Sequence, residues 1–189
     1  MVCAQETAKQ PEGPFYPEND QDDKDNDLTH IRGSRASAKG EVIIINGTVQ
    51  DESCAPLAGA LVEIWQACHT GKYNHSADPN NAELDKNFQY WGRAITDESG
   101  QYEFKTIMPG AYPASSNWVR PSHIHCKVQK RGFHELTTQM YFKGTEHLHT
   151  DRLFLSIPEE QRDTVVIDLQ KSNESEFRTG EFNISLTKV

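Results

Sequence analysis

The sequence has no apolar run of the length that a transmembrane helix needs, which is about 20 residues. Its opening stretch, MVCAQETAKQ, also lacks the apolar segment of a secretory signal. These two absences predict a protein that does not bind membranes and that, as written, is cytoplasmic. A leader removed before the first residue would leave the same sequence, so an extracytoplasmic location stays open.

The chain has fewer basic than acidic residues. The chain has 19 basic and 28 acidic residues, which gives a formal net charge of −9 at pH 7. Because nucleic-acid backbones are recognised mainly through clustered basic residues, this balance argues against a nucleic-acid partner. An anionic ligand would need a local arginine or a metal ion to overcome the overall negative field.

The four cysteines show no CxxC spacing, so a zinc site built from thiolates is not expected. Spacing alone cannot establish which cysteines pair, and a bridge between Cys54 and Cys68 stays open. Cys126 is predicted to be a small buried hydrophobic residue.

Long helical patterns and internal repeats are also missing, whereas short strand-like segments separated by turn residues are frequent. These segments predict a single-domain, all-β sandwich over residues 40–189, preceded by an irregular N-terminal arm over residues 1–39. The predicted strands are residues 41–49, 60–67, 91–96, 101–107, 123–128, 135–142, 165–169 and 181–187. The DESG turn predicts a hairpin between the third and fourth of these, residues 109–118 are predicted to be a loop, and a short helix is predicted from Pro158.

The predicted arm contains an acidic run over residues 18–27, which indicates a solvated or wrapped segment rather than a cation site. Just before it, Pro14 and Pro17 fix an extended backbone around Phe15 and Tyr16. These two aromatic side chains are therefore held at a defined place, where they could cap the core or line a pocket.

A His-Ile-His sequence is the first sign of chemistry. Side chains alternate between the two faces of a strand, so His123 and His125 share one face, while Ile124 and Cys126 share the other. Two imidazoles on one face can chelate a metal ion. The pattern alone is a weak signal, because paired histidines also occur as solvated or hydrogen-bonded residues.

Two tyrosines in predicted loops, Tyr73 and Tyr112, add oxygen donors to this pair. A free phenol has a pKa of about 10, so a strongly Lewis-acidic ion is needed to deprotonate it at neutral pH. A set of phenolates and imidazoles therefore suits Fe(III) better than magnesium or calcium.

Taken together, several motifs resemble the intradiol ring-cleavage dioxygenases, and above all the protocatechuate 3,4-dioxygenase type. The resemblance covers residues 12–142. The motifs, in chain order, are GKYNH, DKNF, GRAITDESGQYEFKTIMPGAYP, RPSHIH and TTQMYF. The resemblance implies a non-haem Fe(III) ion held by four ligands: Tyr73, Tyr112, His123 and His125.

The same resemblance implies an enzyme that uses O2 to cleave a small aromatic diol between its two hydroxyl-bearing carbons, giving cis,cis-muconate-type products. Tyr112 would be the ligand that substrate displaces, and Arg120 and Gln139 would flank the bound catechol. Without these motifs, Arg120 would be read as a structural salt bridge and Gln139 as a satisfied strand amide. A homo-oligomer is expected by analogy only.

One departure bears on the substrate. Phe15 follows the Gly-Pro pair, where a substrate-binding tyrosine follows it in the α chain of the protocatechuate enzyme. Phe15, Tyr16 and Trp118 are therefore the candidate substrate-binding residues, although Trp118 could equally belong to the core. Two other classes of protein remain as alternatives. One is a transthyretin-like or carboxypeptidase-regulatory-like binding module, whose sequence pattern residues 47–65 resemble. The other is a cupin-type metal enzyme, which also uses paired histidines.

Overall fold

The computed structural model of the chain describes residues 5–171 and 175–189 and consists mainly of β-strands. In chain order the strands are β1 (Val42–Asp51), β2 (Leu61–Trp65), β3 (Trp91–Ile95), β4 (Gln101–Ile107), β5 (Tyr112–Ser115), β6 (Trp118–Arg120), β7 (His123–Gln129), β8 (Leu136–Phe142), β9 (Val166–Ile167), β10 (Gln170–Lys171), β11 (Arg178–Glu181) and β12 (Ile184–Leu186). The helical elements of the described residues are short: a four-residue α-helix, α1 (Arg152–Leu155), and 3-10 helices at Leu148–Thr150 and Glu159–Val165. The last of these occupies the place of the predicted short helix.

The strands form two sheets packed as a sandwich, so the predicted all-β class is confirmed. In the first sheet β1 is central, with β4 antiparallel on one edge and β11 and β12 parallel along the other. The second sheet has the order β3-β2-β7-β8-β9, and a separate two-stranded hairpin is formed by β5 and β6. The predicted inner position of β2 is correct, because β3 and β7 pair with its two edges.

The core lies between the sheets, and strand alternation decides which side chains enter it. Ile43 and Ile45 of β1 are fully buried, while their sequence neighbours are only partly buried. Ile124 and Cys126 of β7 join the same core cluster. Fully burying one large aliphatic side chain stabilises a fold by about 1.5–3 kcal/mol, which fixes the face that β7 turns inward. The histidine face of β7 is thereby directed away from the main core.

The predicted hairpin across DESG is wrong. The turn itself forms, since the Gly100 amide donates to the Asp97 carbonyl at 3.0 Å. However, β3 pairs with β2 and β4 pairs with β1, so the chain crosses from one sheet to the other at this turn. Turn residues set a local chain reversal, whereas the partner of each strand is chosen by the packing of the sandwich.

One further prediction needs correction, and the cysteine pairing that the sequence left open is answered in part. Residues 109–118 were expected to be a loop, but β5 and β6 pair there with a register shift between Pro113 and Ser115. The Cys54–Cys68 bridge does not form, because Cys68 is a buried free thiol and Cys54 is in a disulfide. Cys126 is buried, as predicted.

The arm wraps around its own sandwich along residues 5–39; residues 1–4 of the predicted arm lie outside the described part. Near its start, the Ala8 carbonyl accepts a hydrogen bond from the Thr138 hydroxyl at 2.7 Å. Further along, Leu28 is completely buried in the main core. The arm is thus a packed part of the fold.

The arm also covers two strand edges. The Arg93 amide of β3 donates to the Lys24 carbonyl at 3.0 Å, and the Lys105 amide of β4 donates to the Asn26 carbonyl at 2.8 Å. A stretch of arm therefore satisfies backbone groups of both sheets on one side of the sandwich. Within the described residues, no helix has the length and apolar character of a membrane span.

Candidate metal centre and active site

Strand register brings the site residues of the second sheet into a row. Antiparallel pairing places four residues directly opposite one another across β3, β2, β7 and β8, and they are Trp91, Trp65, His125 and Gln139. His123 pairs with Tyr141 in the same way. Because side chains directly opposite each other share a face, this register assembles one wall of the site.

His123 is held in a single orientation. Its Nδ1 lies 2.6 Å from the Pro121 carbonyl, to which it donates a hydrogen bond, and its Nε2 is then the nitrogen with a free lone pair. Burial, helped by the nearby positive charge of Arg120, holds its pKa well below the ordinary value. This imidazole is therefore neutral at physiological pH and able to bind a metal.

His125 is oriented by packing. Its ring stacks on Trp65 with centroids 4.9 Å apart and an interplanar angle of 10°. Its Nδ1 has no hydrogen-bond partner among the described residues. Burial, followed by the charge of Arg120, lowers its pKa to about 3, so this ring is also neutral at physiological pH.

Tyr73 completes a cluster of three donor atoms. Its hydroxyl oxygen lies 3.3 Å from His123 Nε2 and 3.1 Å from His125 Nε2. The residue lies in the long loop between β2 and β3, where its amide donates to an Asp78 carboxylate oxygen at 2.7 Å. That bond fixes the loop at the point where the phenol turns toward the histidines.

The loop of Tyr73 packs closely against the loop that precedes Tyr112. Gly71 has φ +80°, and a Cβ there would lie 2.5 Å from the Ala111 carbonyl oxygen. A Cβ on Gly110 would lie 2.4 Å from the Gly71 nitrogen. Glycine at both positions lets the two backbones touch, which brings the Tyr73 and Tyr112 rings to a centroid distance of 5.6 Å.

Tyr112 begins β5 and lies directly opposite Arg120 of β6. Its ring centroid is 5.7 Å from that of His123. Burial raises the pKa of Tyr112, while Arg120 and a hydrogen bond with Tyr73 oppose that rise. The pKa of Tyr73 is raised well above its ordinary value, chiefly by burial. Both phenols are thus protonated unless a strong cation replaces their protons.

The donor set fits a metal ion. Imidazole nitrogens bind first-row metals at about 2.0–2.1 Å, so two adjacent ligands of one ion lie about 3 Å apart. The separations between the Tyr73 oxygen and the two Nε2 atoms, 3.1 and 3.3 Å, match that spacing. Across residues 5–171 and 175–189, no group of three or more His, Cys, Asp or Glu side chains is arranged to hold a metal. An ion at this centre would therefore depend on the phenol oxygens.

Arg120 is buried beside this cluster. Its Nε donates to Asp151 Oδ1 at 2.9 Å, and its Nη2 donates to Gln139 Oε1 at 2.7 Å. Tyr141 Oη lies 3.4 Å from the same Nη2. Arg120 is therefore in a structural ion pair and also close to the donor cluster, so the two predicted interpretations of this residue are compatible.

The arm supports this network from outside the sheet. Gln139 Nε2 donates to the Pro11 carbonyl at 2.9 Å, which turns the amide oxygen of Gln139 toward Arg120. The Tyr141 hydroxyl donates to Gln10 Oε1 at 3.0 Å. Arm residues near position 10 thus fix the side chains that contact Arg120.

The three predicted substrate-binding residues lie in different surroundings. Phe15 packs on Tyr73 with centroids 4.7 Å apart, so it is next to the donor cluster. Tyr16 is placed edge-on to Trp65 at 5.0 Å and to Trp91 at 6.2 Å. Trp118 is half-buried, and its Nε1 donates to Asp151 at 2.9 Å. Phe15 is the one of the three that contacts a predicted metal ligand.

An open cavity of about 420 Å³ lies on one side of Tyr73, with Phe15 and His75 in its lining. Neither Tyr112 nor Arg120 lines it, so it adjoins the cluster without containing it. Three larger hollows, of about 660, 730 and 460 Å³, contain none of the predicted site residues. Cavity size alone therefore does not locate this site.

Sequence reasoning missed three residues of the network. Tyr141 could have been found, because it lies two positions after Gln139 on the same strand and so shares its face. Asp151 precedes the short apolar run of α1, a pattern that indicates a helix cap but says nothing of a contact with Arg120. Gln10 carries no local signal.

Comparison with known proteins identifies the family to which this arrangement belongs. The dioxygenase family model matches residues 11–188. The β chain of protocatechuate 3,4-dioxygenase from Burkholderia cepacia is 38% identical over 191 residues, covering 98% of this chain and 81% of that one. Chlorocatechol 1,2-dioxygenase from Pseudomonas sp. (strain P51) is 33% identical over 123 residues, and the match covers 58% of this chain but 47% of that protein.

A solved structure shows the same architecture. The dioxygenase domain of a dioxygenase carbohydrate-binding protein fusion from Streptomyces sp. SirexAA-E is similar with a TM-score of 0.74 and 29% identity, covering 98% of this chain and 100% of that one. The chain belongs to the intradiol ring-cleavage dioxygenases. The predicted resemblance is thereby confirmed, and the binding-module and cupin alternatives are set aside.

Proposed function

We propose that the chain is a non-haem Fe(III) dioxygenase that uses O2 to cleave catechol-type diols between their two hydroxyl-bearing carbons, giving cis,cis-muconate-type products. The observation that carries this proposal is the meeting of Tyr73 Oη with the Nε2 atoms of His123 and His125 within 3.3 Å. Membership in the intradiol family supports it, since relatives named protocatechuate 3,4-dioxygenase and chlorocatechol 1,2-dioxygenase are 38% and 33% identical to this chain over the aligned residues.

Tyr73, His123, His125 and Tyr112 would hold the iron, and the two imidazoles are suited to this since both are neutral at physiological pH. A bound ferric ion would supply the Lewis acidity that keeps the phenols and the diol deprotonated. It would also withdraw electron density from the bound diol, which would make the ring reactive toward O2. Tyr112 is at the edge of this set, with an oxygen that can accept a diol proton when the substrate takes its place.

Arg120 would act on the charge that develops during the reaction. Its guanidinium stays protonated at any physiological pH, and burial keeps water from screening it. Gln139 sets the direction of the guanidinium through the 2.7 Å bond to Nη2. Together these residues would stabilise negative charge that develops on one of the two hydroxyl-bearing ring carbons, the position at which O2 must bond if the link between them is to break.

The substrate class is narrowed by Phe15. It packs on Tyr73 and faces Tyr112 at a centroid distance of 6.3 Å, so an apolar ring stands where the protocatechuate-type α chain has a tyrosine. We therefore expect unsubstituted or apolar-substituted catechols to be better substrates than protocatechuate, whose carboxylate would need a polar partner.

The test begins with iron and colour. Purified protein should contain one iron per chain and show a red-brown tyrosinate-to-iron absorption band, which shifts when catechol is added without oxygen. Tyr73→Phe and His125→Ala should lose the band or the iron, whereas Arg120→Ala should keep iron and lose turnover. Oxygen uptake with catechol, protocatechuate and hydroxyquinol then ranks the substrates. A colourless protein that stays inert after reconstitution with ferric iron would falsify the proposal.

A further inference from the structure

The carboxylate of Asp151 is completely buried, and both of its oxygens accept hydrogen bonds. Its Oδ1 accepts from Arg120 Nε and from Trp118 Nε1, both at 2.9 Å. Its Oδ2 accepts from the Phe154 amide at 3.0 Å, which makes Asp151 the N-cap of α1. The Asp151 side chain therefore links Trp118 and Arg120, which are both on strand β6, to helix α1.

The N-terminal end of α1 fixes the position of the Asp151 carboxylate. Asp151 has the extended φ of −72° and ψ of 122° usual for an N-cap, and the segment around it is packed into a second hydrophobic cluster. Leu148 and Phe154 belong to that cluster together with Tyr141 of β8. The position of the carboxylate is thus set by α1 and β8, independently of the hairpin that carries Arg120.

The hairpin has few other anchors. The residues between Tyr112 and Trp118 are exposed, so β5 and β6 are not fixed by core packing along that stretch. The guanidinium of Arg120 is rigid and planar, and it is held at Nε by Asp151 and at Nη2 by Gln139. In the described part of the chain no residue accepts from Nη1, and this nitrogen is not among the fully buried atoms without a partner. Its two donors are left available to a ligand.

We propose that Asp151 is the positioning residue of Arg120: it fixes the guanidinium plane so that Nη1 is presented to the bound diol. The expected effect on turnover rests on the proposed function, whereas the orientation of Arg120 by Asp151 does not depend on it. Gln139 accepts from Nη2 of the same guanidinium, so the two residues together determine its orientation. Loss of the carboxylate would leave a buried cation without its counter-charge, and Arg120 would turn toward solvent.

The experiment uses two variants of Asp151 that both remove its negative charge and both keep an oxygen able to cap α1. Asp151→Asn keeps the length of the side chain, whereas Asp151→Ser shortens it. Leu148→Ala is the control, because it weakens the same segment without touching Arg120. For each purified protein, iron content, Tm, kcat and KM with catechol are measured.

We expect both Asp151 variants to retain iron and to lose kcat by up to about 10²-fold, since a misplaced catalytic group costs about that much. KM should change less than kcat, because Arg120 acts on charge that develops in the reaction. Leu148→Ala should lower Tm and leave kcat of the folded protein within about twofold of wild type. A wild-type kcat in Asp151→Ser would overturn the proposal and assign Asp151 to the cap alone, as would a loss of kcat in Leu148→Ala as large as that in Asp151→Asn.

A second measurement needs neither iron nor turnover. In the iron-free protein labelled with ¹⁵N, the Arg120 Nε–H should give an exchange-protected NMR signal, identified by its absence from Arg120→Lys. We expect this signal to be lost in Asp151→Ser and retained in Leu148→Ala. Its retention in Asp151→Ser would overturn the positioning role even if the wild-type protein had no dioxygenase activity, so failure of this inference is separable from failure of the proposed function.

Discussion

Replacing Tyr141 by phenylalanine removes the hydroxyl that joins the arm to the Arg120 network. That hydroxyl donates to Gln10 Oε1 at 3.0 Å and lies 3.3 Å from Gln139 Oε1 and 3.4 Å from Arg120 Nη2. The aromatic ring, which packs on Phe154 with centroids 5.2 Å apart, is unchanged by the substitution. The variant therefore tests the hydrogen bonds without opening a cavity.

The magnitude follows from what is left unpaired. Gln10 is buried, and leaving its amide oxygen without a donor costs about 1–3 kcal/mol of the free energy of unfolding. For a chain of this size, each kcal/mol lowers Tm by about 2–4 °C. The contact with Arg120 is long and Arg120 keeps its other two partners, so kcat/KM should fall by only about fivefold, equivalent to about 1 kcal/mol.

Tyr102→Phe is a matched control. Tyr102 is also buried, and its hydroxyl donates to the Phe182 carbonyl at 2.6 Å in the main core. Thermal unfolding and steady-state oxygen uptake should show a fall in Tm for both variants and a fall in kcat/KM for Tyr141→Phe alone. Equal changes in kcat/KM for the two variants, or none for Tyr141→Phe despite a lower Tm, would refute the reasoning.

Two other predictions concern the backbone and acid stability. Gly71→Ala should lower Tm and iron occupancy together, because the new Cβ would lie 2.5 Å from the Ala111 carbonyl oxygen. Gly132→Ala has a similar φ of +87° but open space around the new Cβ, so it should lower Tm through backbone strain alone and keep its iron. Equal iron loss in the two variants would contradict this prediction. The Ser53 hydroxyl holds the pKa of Asp51 below its ordinary value, so this carboxylate stabilises the fold fully above about pH 4 and less as pH falls toward its folded pKa. Asp51→Asn should therefore flatten the acid side of a plot of unfolding free energy against pH, measured with urea, and an unchanged slope would contradict the assignment.

Much of the site was predictable because its information is local. Alternation along one strand sufficed to place His123 and His125 opposite Ile124, and the structure confirms both faces of β7. The two tyrosines were predicted from their residue type and from the motifs around them. The structure places Tyr73 within hydrogen-bond distance of both imidazoles.

The parts that could not be predicted depend on distant contacts. Asp97–Gly100 signals a turn, yet nothing near it shows that the strands on its two sides join different sheets. Asp151 meets Arg120 only because a helix cap and a hairpin are both packed against β8, and sequence spacing does not encode that meeting. Cys68 shows the same limit, because its burial as a free thiol follows from packing that spacing cannot reveal.

The backbone bonds that residues 24–28 make with β3 and β4 bear on how copies of this protein meet one another. Without that stretch, the outermost strands of both sheets would offer unpaired amides and carbonyls on the same flank, and such rows invite strands from other molecules. The segment that contacts Gln139 near its beginning thus covers, some fifteen residues later, the strand edges at which another molecule could add a strand.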